Sequence, residues 1–442
     1  MNLPGGHIGR AEMNDRPLKE LAELTRVQLA EVLRRHAWFL ESRPGGRRAV
    51  LLDCDFANMA LAGQNLSHMI LTGSSFYGNN LSGCRFDGAN AFCCDFRQAN
   101  LGDASMIRTD LRGARFGGAS MIHANLLDAD LRKGVQITRD GKGDFHGYGS
   151  NDKAVGSGTD FADANLTNAT LSGVMGSKTD FSNSLMRGSR LVRAHIQGAN
   201  FSGCDLESAD FSQADARDVC FRGAVLSKAN FHLANTAGAD MADTLTDQSP
   251  GRWLAELDTS LEELLARHRR FVESHGAAGA QLDLAGFDLR GSGPWVAACL
   301  TMAKVPGAVF YKLDLSRAQM QAAGCRGGDF RSSRLDGADM RGICLAGSRM
   351  AYASMRGADL RTLQIDHGRQ MPVDLTNATL RHADLRGARL GGARLAGADL
   401  SYADLRDADL TGADVAGAKL AACKLSRQQT DAARRAGAIV SL

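Results

Sequence analysis

The chain has 442 residues, a length that favours either two domains or an extended repeat array over one compact core. Its 50 glycines and its 6% of aromatic residues argue against a conventional large core, and its 44% of hydrophobic residues argues equally against disorder. Lys and Arg number 52 and Asp and Glu 49, with the two signs alternating along the chain, so no nucleic-acid-binding patch is indicated.

The N-terminal residues 1–16 have no apolar core of the kind that a signal peptide needs, and we interpret them as a flexible N-terminus. No stretch of the chain approaches the roughly 18 apolar residues of a membrane-spanning helix. The sequence therefore predicts a cytoplasmic protein without a membrane span.

Residues 17–45 and residues 250–276 are two copies of one helical element, and each contains the tetrapeptide Leu-Ala-Glu-Leu. Thr25 with Gln28 forms a helix-start signal in the first copy, and Asp258 to Ser260 with Glu262 and Glu263 forms one in the second. The apolar positions of the first copy, Leu29, Val32, Leu33 and Phe39, match Leu261, Leu264, Leu265 and Phe271 of the second. We interpret each element as a cap, with the alternative that its apolar face docks on another chain.

Apolar residues recur at every fifth position in the segments that follow, residues 46–245 and 277–425. A period of five fits neither a helix, with its period of about 3.6, nor a half-buried strand, with its period of about 2. The repeating unit is Ala-(Asp/Asn)-(Leu/Phe)-X-X, as in Ala-Asp-Leu-Arg-Gly at 383–387 and Ala-Asn-Leu-Gly-Asp at 99–103.

These repeats resemble the pentapeptide repeat family, and the resemblance covers most of the chain. It implies an all-β solenoid, a right-handed quadrilateral β-helix in which four pentapeptides make one square coil. The central residue of each repeat, and the small residue two positions before it, are expected to point inward. With a helical element before each solenoid, the fold is predicted to have two lobes with short α-helical caps, and residues 426–442 to form a C-terminal cap.

If four repeats make one coil, equivalent positions of successive coils should carry residues of the same type, stacked on one another. Two sets of phenylalanines recur at every fourth repeat: Phe56, Phe76, Phe96 and Phe116, and then Phe161, Phe181, Phe201 and Phe221. They predict two pieces of one phenylalanine ladder. If Phe161 follows Phe116 on the same face, the segment between them is longer than one coil requires, and we place the excess in a loop at 133–158.

The loop at 133–158 is the one segment that departs from the repeat, and it is rich in glycine. Loops that project from a rigid scaffold often contain the residues that bind a partner. We therefore take Lys142, Phe145, His146 and Tyr148 as candidate partner-binding residues. The alternative is an insertion that the fold merely tolerates.

Groups with catalytic or metal-binding chemistry are scattered rather than clustered. Cysteines occupy inward positions at 54, 84, 94, 204, 325 and 423, no Cys-X-X-Cys motif occurs, and packing is the favoured role. The carboxylates repeat because the motif repeats. We predict no catalytic site, no metal site and no cofactor.

Two functional hypotheses remain. The first is a non-enzymatic scaffold or regulator that binds another protein, with homodimerisation through the helical or terminal caps as a further option. The second comes from the resemblance, because some pentapeptide repeat proteins imitate DNA and bind a type II topoisomerase such as gyrase. An arginine stands two positions after the aspartate in units such as Asp384-Leu385-Arg386. Such neighbouring opposite charges weaken the long-range negative electrostatic field that a DNA mimic needs. We expect no direct binding of nucleic acid.

Overall fold

The protein divides into two compact units, residues 1–248 and residues 249–442. The computed structural model describes residues 22–23, 25–134, 136–139, 145–148, 159–248, 251–365 and 368–440. Each unit contains an α-helix followed by a parallel β-solenoid.

The solenoid of the first unit is a four-sided β-helix. Parallel bridges join residues one coil apart, as in the series Asp55, Ser75, Asp95 and Arg115, and they recur at every fifth residue. Between bridges the chain turns a corner, where the amide of Met59 donates to the carbonyl of Phe56 at 3.1 Å. Each coil therefore has four sides of one repeat each, which confirms the coil that the sequence predicts.

The third residue of each corner turn has a left-handed backbone, with φ of 61° at Asn58 and 63° at His68. Glycine, asparagine, aspartate and histidine tolerate this region best. Histidines such as His68, His123 and His382 occupy this corner position, in keeping with that preference.

The central residues of the repeats fill the interior of the first solenoid, and one face carries an unbroken phenylalanine ladder. Its rings stack at centroid distances of 4.5 to 5.5 Å through Phe56, Phe76, Phe96, Phe116, Phe161, Phe181, Phe201 and Phe221. The two predicted pieces are therefore one stack. Phe86 meets Phe76 and Phe96 edge-on from another face, at 6.0 and 5.8 Å.

Helix α1, Arg26–Leu40, lies at the start of the first solenoid. Thr25 caps it through a reciprocal pair of hydrogen bonds with Gln28, as the sequence predicts. Leu29 is buried in the core of the unit, and Val32 and Leu33 pack against that core. Before the helix, strand β1 (Ala22–Glu23) pairs in parallel with strand β2 (Cys54–Asp55). After Arg132, strands β3 (Gln136–Arg139) and β4 (Phe145–Tyr148) form an antiparallel hairpin.

The second unit begins in a related way. Strand β5 (Arg252–Trp253) pairs in parallel with β6 (Phe287–Asp288), and a 3-10 turn at Leu254–Glu256 leads to helix α2, Leu261–Glu273. Ser260 caps α2 by accepting a hydrogen bond from the Glu263 amide at 3.2 Å. Residues 254–256 of the second Leu-Ala-Glu-Leu segment form this 3-10 turn, and α2 begins directly after Ser260, within the start signal that the sequence predicts.

The second solenoid has the same four-sided coil but is interrupted once. The bridges from Cys344 to Asp374 and from Arg349 to Thr379 span two repeats more than the others, because a short hairpin of β7 (Leu363–Gln364) and β8 (Gln370–Met371) is inserted. The sequence analysis, which treats residues 277–425 as one run of repeats, does not predict this interruption. An insertion equal to two whole repeats leaves the count of five unchanged.

Helix α3, Arg427–Arg435, follows the last coil. The Gln429 side-chain amide donates to the carbonyls of Leu405 and Ala408, at 3.1 and 2.8 Å. After the helix, Ile439 bridges to Lys419 and so continues the ladder. Among the described residues, no helix combines the length and the apolar character that crossing a membrane requires.

Candidate partner-binding site

The predicted site residues fall on the inserted hairpin of the first unit. Phe145, His146 and Tyr148 belong to strand β4, which pairs with β3 in the register Arg139 to Phe145 and Gln136 to Tyr148. Lys142 lies outside the described residues. The backbone thus places three of the four candidate residues on one strand of an antiparallel hairpin.

The chain returns from the insertion into the next coil. The Thr159 amide donates to the carbonyl of Leu131 at 3.0 Å, which is the bond that residue 134 would make in an uninterrupted corner turn. The Thr159 hydroxyl donates to the Leu111 carbonyl at 2.8 Å. Thr159 therefore stands where residue 134 would stand, and the inserted segment is residues 134–158.

The start of the insertion is packed tightly against the preceding coil. A Cβ atom at Gly134 would lie 2.5 Å from the Arg112 carbonyl oxygen and 2.9 Å from the Gly113 amide nitrogen. Only glycine fits such a close approach of two backbones. The direction in which the chain leaves the solenoid is thus determined by backbone packing at Gly134.

A ladder of alternating charges lies on the strand residues just before the insertion. Arg112 binds Asp110 at 2.8 Å, and Arg132 binds Asp130 at 2.7 Å. Arg112 also approaches Asp130 of the next coil at 3.7 Å. The base of the hairpin therefore carries ion pairs that neutralise one another.

The same pairing recurs along both solenoids. In ten repeats of the described residues, the aspartate before the central residue binds the arginine after it, at 2.5 to 2.8 Å between nitrogen and oxygen. The arginines are Arg97, Arg112, Arg132, Arg217, Arg290, Arg331, Arg341, Arg361, Arg386 and Arg406. Burial alone raises the pKa of the Asp384 carboxyl, but hydrogen bonds from Arg386 and Arg356 outweigh it and hold that pKa at about 2.

One carboxyl beside the insertion is different. Asp160 directly follows Thr159, and burial raises the pKa of its carboxyl to about 6, with a further contribution from the negative charges of Asp180 and Asp163. Its carboxylate accepts a hydrogen bond from the Ala162 amide at 2.9 Å, which lowers the pKa but does not compensate for burial.

The inward cysteines have a structural role. The thiols of Cys84, Cys94 and Cys204 donate to the carbonyls of Leu61, Leu71 and Phe181, and Cys54 and Cys325 are buried as well. Burial raises the pKa of Cys204 to about 12, so its thiol stays protonated. Within the described residues, no group of three His, Cys, Asp or Glu side chains is placed to hold a metal ion.

Two features escaped the sequence analysis. One is the second hairpin, β7–β8, which no break in the count of five reveals. The other is a pair of matched histidines, His36 in α1 and His268 in α2, which are fully buried. Their equal position in the two helical copies was a signal that could have identified them.

Comparison with known proteins agrees with this architecture. The family model described as pentapeptide repeats matches in eight copies, which together span more than half of the chain: residues 49–90, 94–132, 157–193, 189–227, 314–350, 325–361, 373–392 and 388–427. Pentapeptide repeat proteins are right-handed quadrilateral β-helices. No curated protein sequence matches the chain.

Solved structures match this chain with low sequence identity and low TM-scores. QnrB1, a plasmid-mediated fluoroquinolone resistance protein, is 20% identical over 46% of this chain and 92% of its own, with a TM-score of 0.29. HetL, a pentapeptide repeat protein involved in heterocyst differentiation regulation in the cyanobacterium Nostoc sp. strain PCC 7120, is 19% identical over 88% of this chain and 96% of its own, with a TM-score of 0.19. At these TM-scores neither structure supports a conclusion about this chain. On the matches of the family model, the chain belongs to the pentapeptide repeat family.

Proposed function

We propose that the protein is a non-enzymatic scaffold that binds another protein, and that the β3–β4 hairpin is its main recognition element. The observation that carries this proposal is that the hairpin leaves the first solenoid while Phe116 and Phe161 stack across it at 4.6 Å. The hairpin segment is therefore not needed to complete a coil of the solenoid. Excursions of this kind from a rigid frame commonly serve recognition.

The helices act as caps in this proposal, and the two compact units are its two lobes. The first coil of a β-helix would otherwise expose unpaired backbone groups and an apolar end. Leu29 of α1 and Leu261 of α2 pack into the cores of their units, and Gln429 of α3 satisfies two carbonyls near the end of the second solenoid. We place the protein in the cytoplasm, where its thiols would remain reduced.

A DNA-mimic role, with a type II topoisomerase such as gyrase as partner, is the alternative, and QnrB1 is by name a fluoroquinolone resistance protein. The charge arrangement disfavours it. A DNA mimic needs unneutralised carboxylates at a density near one charge per ~1.7 Å. Here the aspartates of the ladders are bound to arginines, as in Asp359 with Arg361 at 2.7 Å and Asp404 with Arg406 at 2.6 Å.

Catalysis has no support from the described residues. Their buried thiols are held protonated, and carboxyls of the ladders, such as Asp384, are held in ion pairs. Homodimerisation through the helical or terminal caps remains part of the proposal. Light scattering on the purified chain, compared with a variant in which the exposed Val27 of α1 is changed to Lys, measures it directly.

Affinity capture from the native organism tests the proposal. The baits are the full chain, a variant that lacks residues 134–158, and the single variants Phe145→Ala and Tyr148→Ala. Tyr77→Ala is the matched control, because Tyr77 is an aromatic residue 48% exposed on a solenoid face. We expect the deletion to abolish capture of the partner, the two β4 variants to weaken it, and Tyr77→Ala to leave it unchanged. Equal capture by all baits would show that the binding surface does not lie on the hairpin.

A further inference from the structure

All but one of the described arginines that directly follow a central inward residue bind an aspartate closely, either in their own repeat or in the next coil. Ten of them bind the aspartate of their own repeat, as described above. Four more bind an aspartate of the next coil at 2.5 to 2.8 Å: Arg187, Arg222, Arg356 and Arg381. Among the described solenoid residues, these fourteen side chains are thus held within the ladder.

Arg326 is the exception. Gly324 occupies the position in its own repeat where an aspartate would stand, and Cys344 occupies the matching position in the next coil. The guanidinium instead reaches toward Asp374, two coils away, and the closest nitrogen-to-oxygen distance is 3.9 Å. Its side chain is 68% exposed. Arg326 therefore has only a loose partner where its counterparts have a close one.

The guanidinium of Arg326 lines a groove of about 480 Å³ on the surface of the second solenoid. Small residues, Gly327, Ala346 and Gly347, form part of the lining. A Cβ atom at Gly327 or Gly347 would meet no other atom within 4 Å, so space is open above both. Asp374, Thr376 and Asn377 of the third coil complete the lining.

We propose that this groove binds a carboxylate of an extended peptide segment of a partner protein, through Arg326. The inference rests on the proposed function, since it names a second contact for the same kind of partner. A guanidinium presents two parallel N–H donors that match a carboxylate, and such charge-assisted pairs are about twice as strong as neutral hydrogen bonds. Thr376 and Asn377, two further polar residues, also line the groove.

The position of Asp374 favours a peptide over a polyanion. Its carboxylate accepts a hydrogen bond from the Thr376 amide at 3.0 Å, and the residue lines the same groove. All charges of a nucleic acid have one sign and Asp374 would repel them, whereas a peptide with a single carboxylate on Arg326 can also present a backbone N–H or a cationic side chain to Asp374. The groove thus has one donor site and one acceptor site within the span of a short peptide.

Fluorescence anisotropy on the full-length protein tests the site with three labelled peptides of glycine and serine. One carries a single central glutamate and an amidated C-terminus, one has glutamine in its place, and one has the glutamine and a free C-terminal carboxylate. We expect the glutamate peptide to bind about tenfold more tightly than the glutamine peptide. The third peptide shows whether a terminal carboxylate serves as well as a side chain.

Two variants show which arginine is responsible. Arg326→Ala should lose the preference for glutamate, whereas Arg406→Ala should keep it, because Arg406 is similarly exposed, at 55%, but bound to Asp404 at 2.6 Å. Circular dichroism on both variants confirms that the ladder is intact. No measurable binding of the glutamate peptide, or equal binding by wild type and Arg326→Ala, would overturn the inference.

The same variants separate this inference from the proposed function. If Arg326→Ala captures the partner as well as wild type while the deletion of residues 134–158 does not, the groove is dispensable and the scaffold proposal stands. If wild type captures no partner at all, the proposed function fails, and the peptide measurement still decides whether the groove binds a carboxylate.

Discussion

The rings of Phe116 and Phe161 stack with their centroids 4.6 Å apart and 3° between their planes, although the whole insertion lies between them in the chain. The neighbouring ladder bonds agree, since Arg115 bridges to Asp160 and the Phe116 amide donates to the Asp160 carbonyl at 2.6 Å. Two coils are therefore adjacent in space across an insertion that contributes nothing to their contact.

Removal of residues 134–158, with Lys133 joined to Thr159, should leave the melting temperature nearly unchanged. Loop-closure entropy varies slowly with loop length, and lysine adopts the left-handed corner conformation elsewhere, with φ of 60° at Lys178. Differential scanning calorimetry measures the effect. Deletion of residues 135–158 instead leaves one residue too many in the corner, and this matched control should be clearly destabilised. A large loss of stability in the first variant would mean that the insertion completes a coil.

Phe96→Asp should destabilise the first unit by about 4 kcal/mol or more, because loss of a buried phenylalanine alone costs about 3–5 kcal/mol and the buried charge adds to it. Phe96 is fully buried between Phe76 and Phe116, at centroid distances of 5.0 and 4.9 Å. Urea unfolding provides the measurement. Tyr77→Asp, one coil below Phe96 and half exposed, is the control and should change stability little.

Stability should fall as the pH drops below about 6.5, and two buried histidines should cause part of that fall. His36 accepts a hydrogen bond from the Ala49 amide at 3.2 Å and bonds through its other nitrogen to the Ser67 carbonyl at 2.9 Å, and His268 accepts from the Leu282 amide at 2.9 Å. Burial lowers the pKa of both imidazoles below the ordinary 6.5.

The sign follows from proton binding. Between the lowered folded-state pKa and 6.5, the unfolded chain binds more protons than the folded one, so acid favours unfolding and stability rises with pH. The double variant His36→Gln, His268→Gln retains polar side chains that do not titrate, and its melting temperature should depend less on pH than that of wild type. His123→Gln, at an exposed corner, is the control. Identical pH profiles for wild type and the double variant would contradict the assignment.

Thiol reagents should separate the cysteines into two classes. Cys84, Cys94, Cys204 and Cys325 are buried with raised pKa values, so they should resist iodoacetamide in the native protein, whereas the partly exposed Cys93, Cys220, Cys299 and Cys344 should react first. Mass spectrometry of the labelled protein identifies the sites. Early labelling of Cys204 would show that its coil opens readily.

The two compact units should be separately soluble when the chain is divided near Pro250. Each has its own helix and its own hydrophobic core, that of the second unit extending from Leu261 to Ala433. Expression of residues 249–442 alone should yield a protein with the β-rich circular dichroism of the solenoid. Aggregation of this fragment, with the intact chain soluble, would mean that one unit needs the other.

The amino-acid sequence by itself determined the four-repeat coil, the inward positions, the phenylalanine ladder and the helix starts at Thr25 and Ser260. These features repeat at short range along the chain, since each coil packs only on its neighbours. Periodicity reveals the repeat and the phenylalanine ladder, and the resemblance to the pentapeptide repeat family implies the square coil and its inward positions. The first insertion was visible in the sequence because it interrupts the repeat. The backbone of its hairpin places Phe145, His146 and Tyr148 on one strand. The role of these residues as a binding site stays a prediction.

Other features were decided by the tertiary structure alone. The β7–β8 hairpin was hidden because an insertion of two whole repeats preserves a period of five, and it changes which residues meet, so that Cys344 pairs with Asp374 rather than with Gln364. The loose partner of Arg326 depends on that pairing, because the residue opposite an arginine is set by the number of residues inserted between two coils. The environments of His36 and His268 likewise depend on how each helix docks on its solenoid, and local sequence pattern does not encode that contact.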